Sequence, residues 1–232
     1  MQTIETLDPI RHHDLTIETG HSEKFGENIH CVPVVANELN QLIPHYPVCL
    51  LKDTETGQFG LYALLGFEPN QNLYIKSGHW GQGYLPLHIQ RQPFIYQPNN
   101  HSVGLNLAIN VDNPRVNKQT GENLFDDNQQ PSGYLKNMAK IVEFLHSSLA
   151  SNQAFIQTLL DANLIDHNQL KFQQTDGQSK KIDGLYQVSQ QKLSTLSDQD
   201  VVKLHQSGAL QACYLLLASQ ENFKKLINWY ND

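Results

Sequence analysis

The sequence predicts an α+β protein: a β-rich half over residues 1–130, then a mixed, mainly helical half over residues 131–232, packed as one globular unit. Three observations predict it. Before about residue 125 the apolar runs are short and broken by Pro, Gly and Asn, the mark of strands. After Pro131 the apolar spacing lengthens to that of helices. A chain of 232 residues buries enough apolar surface to fold without disulfides or metal.

Taken in chain order, Val34 to Ile43 reads as a short helix, since Val35, Leu39 and Leu42 recur at helical spacing and Pro44 stops it. Val48 to Leu51, Phe59 to Leu65, Asn72 to Ile75 and Leu105 to Val111 read as strands, which either close into a small barrel or curl as an antiparallel sheet. Leu135, Met138, Val142, Leu145 and Leu149 mark one amphipathic helix, and Phe155, Ile156, Leu159 and Leu160 a second, the two forming a hairpin. Lys171 to Gln174 and Ile182 to Val188 flank an Asp176-Gly177 turn as a β-hairpin. Ser197 caps a short helix over Asp198 to Ser207 that Gly208 terminates, and Glu221 to Tyr230 is a final helix. Leu210 to Ala218 is a buried strand or helix, because an unbroken apolar run hides its period.

Composition removes several classes of function. The net charge of -7 and only three arginines, Arg11, Arg91 and Arg115, argue against nucleic-acid binding. The longest apolar run, Ala212 to Ala218, falls well short of the about 20 residues that cross a bilayer. Cys31, Cys49 and Cys213 are an odd number and widely spaced, which predicts neither a disulfide framework nor a zinc site and suits a reducing cytoplasm. The N-terminus lacks the basic and apolar regions of an export signal, so a cytoplasmic location is expected.

Phe59 to Tyr96 concentrates eight of the twenty aromatic residues with only Glu68, Lys76 and Arg91 charged, a composition of interiors and interfaces. Tyr62, Phe67, Tyr74 and Phe94 read mostly as core. Gly78-His-Trp-Gly-Gln-Gly-Tyr84 reads as a Gly-rich turn presenting Trp80 and Tyr84 for recognition. It lacks the Lys-Ser/Thr of a phosphate loop and leads into no helix. Arg91 requires a carboxylate; Glu68 is the expected partner, with a bound peptide carboxylate as the functional alternative. His12-His-Asp14 has the H-x-D spacing that opens a non-haem iron triad, but a solvated N-terminal segment is the stronger reading. Cys31 is read as buried filler, and the carboxylates of Leu124 to Asn128 as turn chemistry. No metal ligand and no cofactor is assigned.

Read in order, His30-Cys-Val-Pro-Val34, Tyr46-Pro-Val48, Ala63-Leu-Leu-Gly-Phe67, Asn72-Leu-Tyr74, Trp80, Tyr84-Leu-Pro86, Arg91-Gln-Pro-Phe94 and Leu124-Phe-Asp126 resemble the bacterial SapC family. Ile182-Asp-Gly-Leu185, Lys192 to Leu196 and Leu204 to Leu217 with Ser219 extend the resemblance over nearly the whole chain. Gln90 departs from it, standing where a second basic residue is expected, which weakens any two-residue anion clamp. The family's name is shared with a transport permease, which this chain does not resemble. The resemblance implies an accessory protein, expected near outer-membrane receptor, flavin-halogenase and cupin-like hydroxylase genes, that binds a peptide or protein. The expected function is therefore non-catalytic recognition, with Trp80, Tyr84 and Phe94 stacking and Asn72 and Arg91 orienting the ligand by hydrogen bonds. A non-haem iron oxygenase and an envelope-associated structural protein are the alternatives.

Overall fold

A computed structural model describes residues 3–81, 83–98 and 105–232. The chain runs β1 (Ile4–Thr6), β2 (Thr16–Ile17), β3 (Cys31–Pro33), α1 (Leu39–Leu42), β4 (Val48–Lys52), β5 (Phe59–Leu64), β6 (Ile75–Lys76) and β7 (His79–Trp80). It continues through α2 (Leu87–Gln90), β8 (Phe94–Pro98), β9 (Leu105–Asn110), β10 (Val116–Asn117), β11 (Glu122–Asn123) and α3 (Gly133–Asp161). The rest is β12 (Ile165–Gln173), β13 (Ser179–Val188), α4 (Gln190–Ser194), α5 (Asp198–Gln206), α6 (Ala209–Ser219) and α7 (Asn222–Asn231). The class is α+β as expected, strand-rich first and helical later, and the sheets do not close into a barrel.

The elements sort into two compact units: Met1–Asn28, Ile75–Gly81 and Leu87–Ser147 in the first, Ile29–Tyr74, Gln82–Pro86 and Ser148–Asp232 in the second. In the first, β1, β9 and β8 form one antiparallel sheet and β10, β2 and β11 another, with β6 and β7 as a separate hairpin. Ile17, Phe94, Ile109, Leu124, Leu135 and Val142 bring both sheets and the start of α3 into one apolar core. Burial of such side chains is the main stabilising term, roughly 1.5–3 kcal/mol each.

In the second unit, β12-β13-β4-β5-β3 form an antiparallel sheet. Polar pins fix α6 and α7 to it. The fully buried Ser219 hydroxyl accepts from Val48 N at 3.1 Å and donates to Leu216 O at 2.7 Å. Asn222 Nδ2 donates to Ile43 O at 2.7 Å and Tyr46 O at 3.1 Å, satisfying carbonyls that the chain leaves open between α1 and β4. Phe67, Phe172 and Tyr230 meet with centroids 5.1 to 5.7 Å apart, and the Glu68 carboxylate takes Lys180 and the Tyr230 hydroxyl.

Several expectations hold in detail. The Asp176-Gly177 hairpin forms, with Gly177 at φ 81°. Ser197 Oγ accepts from Asp200 N at 3.2 Å to cap α5, and Gly208 adopts φ 76°. Leu210 to Ala218 is helical, inside α6.

Others are corrected. The two helices expected after Pro131 are one continuous α3, because Ala150 to Ala154 contains neither Gly nor Pro and its one hydroxyl, Ser151 Oγ, bonds back to Ser148 O. Asn72 to Tyr74 is not a strand: Asn72 Oδ1 accepts from Tyr74 N at 3.0 Å, an Asx turn that bends the backbone, and pairing starts only at Ile75. His12 is buried rather than solvated, its Nδ1 accepting from Asp8 N and its Nε2 bonded to Glu5, each at 3.0 Å. Cys31 is half-buried on β3, with desolvation pushing its thiol up, so it stays protonated.

Candidate functional site

Trp80 stands on β7, the second strand of a tight hairpin in the first unit. Ile75 pairs with Trp80 and Lys76 with His79, leaving Ser77 at φ 53° and Gly78 at φ 78° as the two turn residues. Two consecutive positive φ values match the strand twist in a two-residue hairpin, and glycine takes one of them without a Cβ clash. Trp80 N then donates to His21 O at 3.0 Å, which ties the hairpin to a second wall.

That wall is Thr19 to Phe25, and Arg115 holds it. The Arg115 guanidinium is buried and donates to Gly20 O at 2.6 Å and Glu18 O at 3.1 Å. It also forms an ion pair with the buried Glu27 and lies 4.0 Å from the Phe25 ring centroid. Glu27 Oε1 further bonds His21 Nδ1 at 2.8 Å. A buried charge survives only when paired and hydrogen-bonded, and here one guanidinium meets Glu27 Oε1 and two loop carbonyls together. Lys24 pairs with Glu18 at the rim, its ammonium 4.6 Å from the Phe25 ring.

Between these walls lies a cleft of about 530 Å³, lined by His21, Ser22, Lys24, Phe25, His79 and Trp80 among others. It combines the half-buried Trp80 ring and the edge of the buried Phe25 with imidazole, hydroxyl and ammonium groups, the mixture by which pockets orient a ligand. Two other concavities lack aromatic lining: one beside Ile4 to Arg11, and one in the second unit formed by Thr158, Asp161, Asp200 and Lys203 with their neighbours.

Of the five expected ligand-contacting residues, Trp80 lines this cleft. Arg91 and Phe94 lie in the first unit, Asn72 and Tyr84 in the second. Phe94 is 0% exposed and belongs to the core, so it presents no face for stacking. Arg91 is not paired with Glu68, which holds Lys180; its Nε donates to His88 Nδ1 at 3.2 Å and its Nη1 to Phe94 O at 2.7 Å. Burial, with Arg91 beside it, pushes the His88 imidazole down to about 4, so it is neutral and accepts that bond. Asn72 is buried in its Asx turn. Tyr84 is held at both ends, its carbonyl accepting from Tyr46 Oη at 2.6 Å and its hydroxyl donating to Glu38 at 3.0 Å. Desolvation, then the Glu38 carboxylate, push that hydroxyl far above its ordinary range.

The wall from Thr19 to Phe25 has no motif that marks it in sequence. Its one available signal is Arg115, an arginine between Pro114 and Val116 in an arginine-poor chain, whose burial demands acceptors. For the iron reading, His12 is engaged by Glu5 and Asp14 by Lys118, and no cluster of three or more metal-ligating side chains exists among the described residues.

Comparison with known proteins gives one positive result. Neither a curated protein nor a solved structure matches the chain. The SapC family model matches residues 7–226, nearly the full length. On that coverage the chain belongs to the SapC family.

Proposed function

We propose that this SapC-family chain is a non-catalytic recognition protein that binds a peptide segment, free or within a protein, in the cleft between Trp80 and the Thr19 to Phe25 wall. The observation that supports the reading best is Trp80 itself: a large, half-buried aromatic ring on the cleft, held on a hairpin whose backbone is bonded across the cleft to His21. A ring pre-set in this way offers stacking area at little entropic cost, which is how aromatic anchors dominate recognition surfaces. Lys24, His21 and His79 supply polar contacts to a peptide backbone or side chain around that anchor.

The test is an array of immobilised peptides probed with wild type and Trp80→Ala. Peptides retained by wild type should lose most of their binding to the variant, with both proteins giving the same circular dichroism spectrum. Matching binding profiles from two folded proteins, or no retained peptide at all, would remove the reading.

A further inference from the structure

The backbone of β1 carries hydrogen-bonding groups that the fold leaves unused. Its register pairs Ile4 with Asn110, Glu5 with Ile109 and Thr6 with Ala108, while Val111 N donates to Thr3 O at 3.0 Å and Leu7 N to Leu107 O at 2.9 Å. Antiparallel ladders alternate bonded and unbonded pairs, so Thr3, Glu5 and Leu7 turn their backbone groups toward β9 and Ile4 and Thr6 turn theirs outward. β1 ends its sheet, and the N–H and C=O groups of Ile4 and Thr6 have no partner among the described residues. The same alternation sends the Leu7 side chain onto the core and those of Ile4 and Thr6 to the opposite face.

An open strand edge is ordinary by itself, so what lies beside it decides its use. A concavity of about 710 Å³ follows β1 into the turn after it, lined by Ile4, Thr6, Asp8, Ile10 and Arg11 among others. Ile10 is 72% exposed, more than any other large apolar side chain among the described residues. The Glu5 carboxylate is taken by Arg11 Nη2 and His12 Nε2, each at 3.0 Å. Asp8 forms no ion pair among the described residues, and its Oδ1 accepts from Ile10 N and Arg11 N at 2.8 Å. The edge thus offers alternating backbone donors and acceptors, an apolar side chain and one uncompensated negative charge. Extended backbone is what meets such a row of groups. A second copy of this chain, itself of net charge -7, meets Asp8 with repulsion, whereas a basic segment complements it. We infer that β1 takes an added antiparallel strand from a basic partner segment, its backbone bonded to Ile4 and Thr6, an apolar residue against Ile10 and a Lys or Arg near Asp8. This edge is lined by other residues than the Trp80 cleft, and neither reading depends on the other.

The test follows amide hydrogen exchange at Ile4 and Thr6 in isotope-labelled protein as blocked hexapeptides of alternating valine and threonine are added, one set beginning with lysine and one with glutamate. The lysine peptide should slow exchange at both amides, and should bind about two- to fivefold more tightly than the glutamate peptide at low salt. Copies of the lysine peptide N-methylated at every second residue, on either alternate set, show whether backbone bonds hold it: the copy that loses its edge-facing N–H groups should bind about tenfold more weakly. Thr6→Pro removes an outward N–H that β9 does not use, so the variant should keep the fold, by its circular dichroism, and lose the peptide. Unchanged exchange at Ile4 and Thr6 in wild type at millimolar lysine peptide would overturn the inference, as would equal binding of both N-methylated copies and their parent. Exchange at these two amides that slows with protein concentration alone would assign the edge to a second copy and overturn the basic partner. The wild-type exchange decides by itself, so the inference does not hang on the folding of the proline variant.

Discussion

Arg115 and Glu27 form an ion pair whose side chains are 4% and 3% exposed, and the same guanidinium suspends the Glu18 and Gly20 carbonyls that shape one wall of the cleft. Removing one partner strands the other charge in the interior. Arg115→Met is expected to cost about 3–5 kcal/mol in urea unfolding, and Arg115→Met with Glu27→Leu to recover part of it. Recovery should be incomplete, because the two carbonyls stay without their donor. A single variant within about 1 kcal/mol of wild type would show that the pair does not hold the wall.

His88 gives the first unit a dependence on pH. Its folded value of about 4 lies below the 6.5 of a free imidazole, so the unfolded chain binds the extra proton more readily. Stability should therefore be full above pH 6.5 and fall as the pH drops toward 4, by at most about 3 kcal/mol from this group. In His88→Gln, whose amide oxygen can still accept from Arg91 Nε, that part of the slope should vanish. The measurement is the denaturation midpoint against pH for both proteins, and parallel curves between pH 6.5 and 4 would count against the assignment.

Ser219 carries a comparable burden in the second unit. With no exposure, its hydroxyl is the acceptor for Val48 N, a donor on β4 directed toward α6. Ser219→Ala leaves that N–H buried and unmet, for an expected loss of about 1–3 kcal/mol. Thermal unfolding would show it, together with faster amide exchange at Val48. An unchanged exchange rate there would mean that another acceptor, or water, replaces the hydroxyl.

How far the sequence could be read depended on the range of the interactions involved. Ser197 capping α5, Gly208 in the left-handed region and Gly177 in its turn are satisfied within a few residues, and each was legible. The break expected between Leu149 and Phe155 misread a change of helix face as a change of element, although no breaker stands there. Asn72 to Ile75 has the composition of a strand, yet one side-chain bond to Tyr74 N turns it, since local Asx chemistry outcompetes a ladder that has no partner in place.

The candidate site divides in the same way. Trp80 could be picked out because a tryptophan between glycines is unusual on composition alone. His21 could not, because its role comes from Glu27 and from Arg115, which lies 94 positions away along the chain. Phe94 and Arg91 fit the composition of a ligand site equally well, and only packing shows one ring fully enclosed and the guanidinium bonded to His88 and Phe94 O.

By itself, the sequence determined the α+β class, the family and the hairpin loop of interest, because hydrophobic period, turn residues and ordered motifs are properties of neighbouring positions. Tertiary structure alone decided which aromatic rings are enclosed, which carboxylate each cation meets, and that Thr19 to Phe25 faces Trp80. The reason is physical: burial and ion pairing depend on distances between residues far apart in the chain, and those distances exist only once the chain has folded.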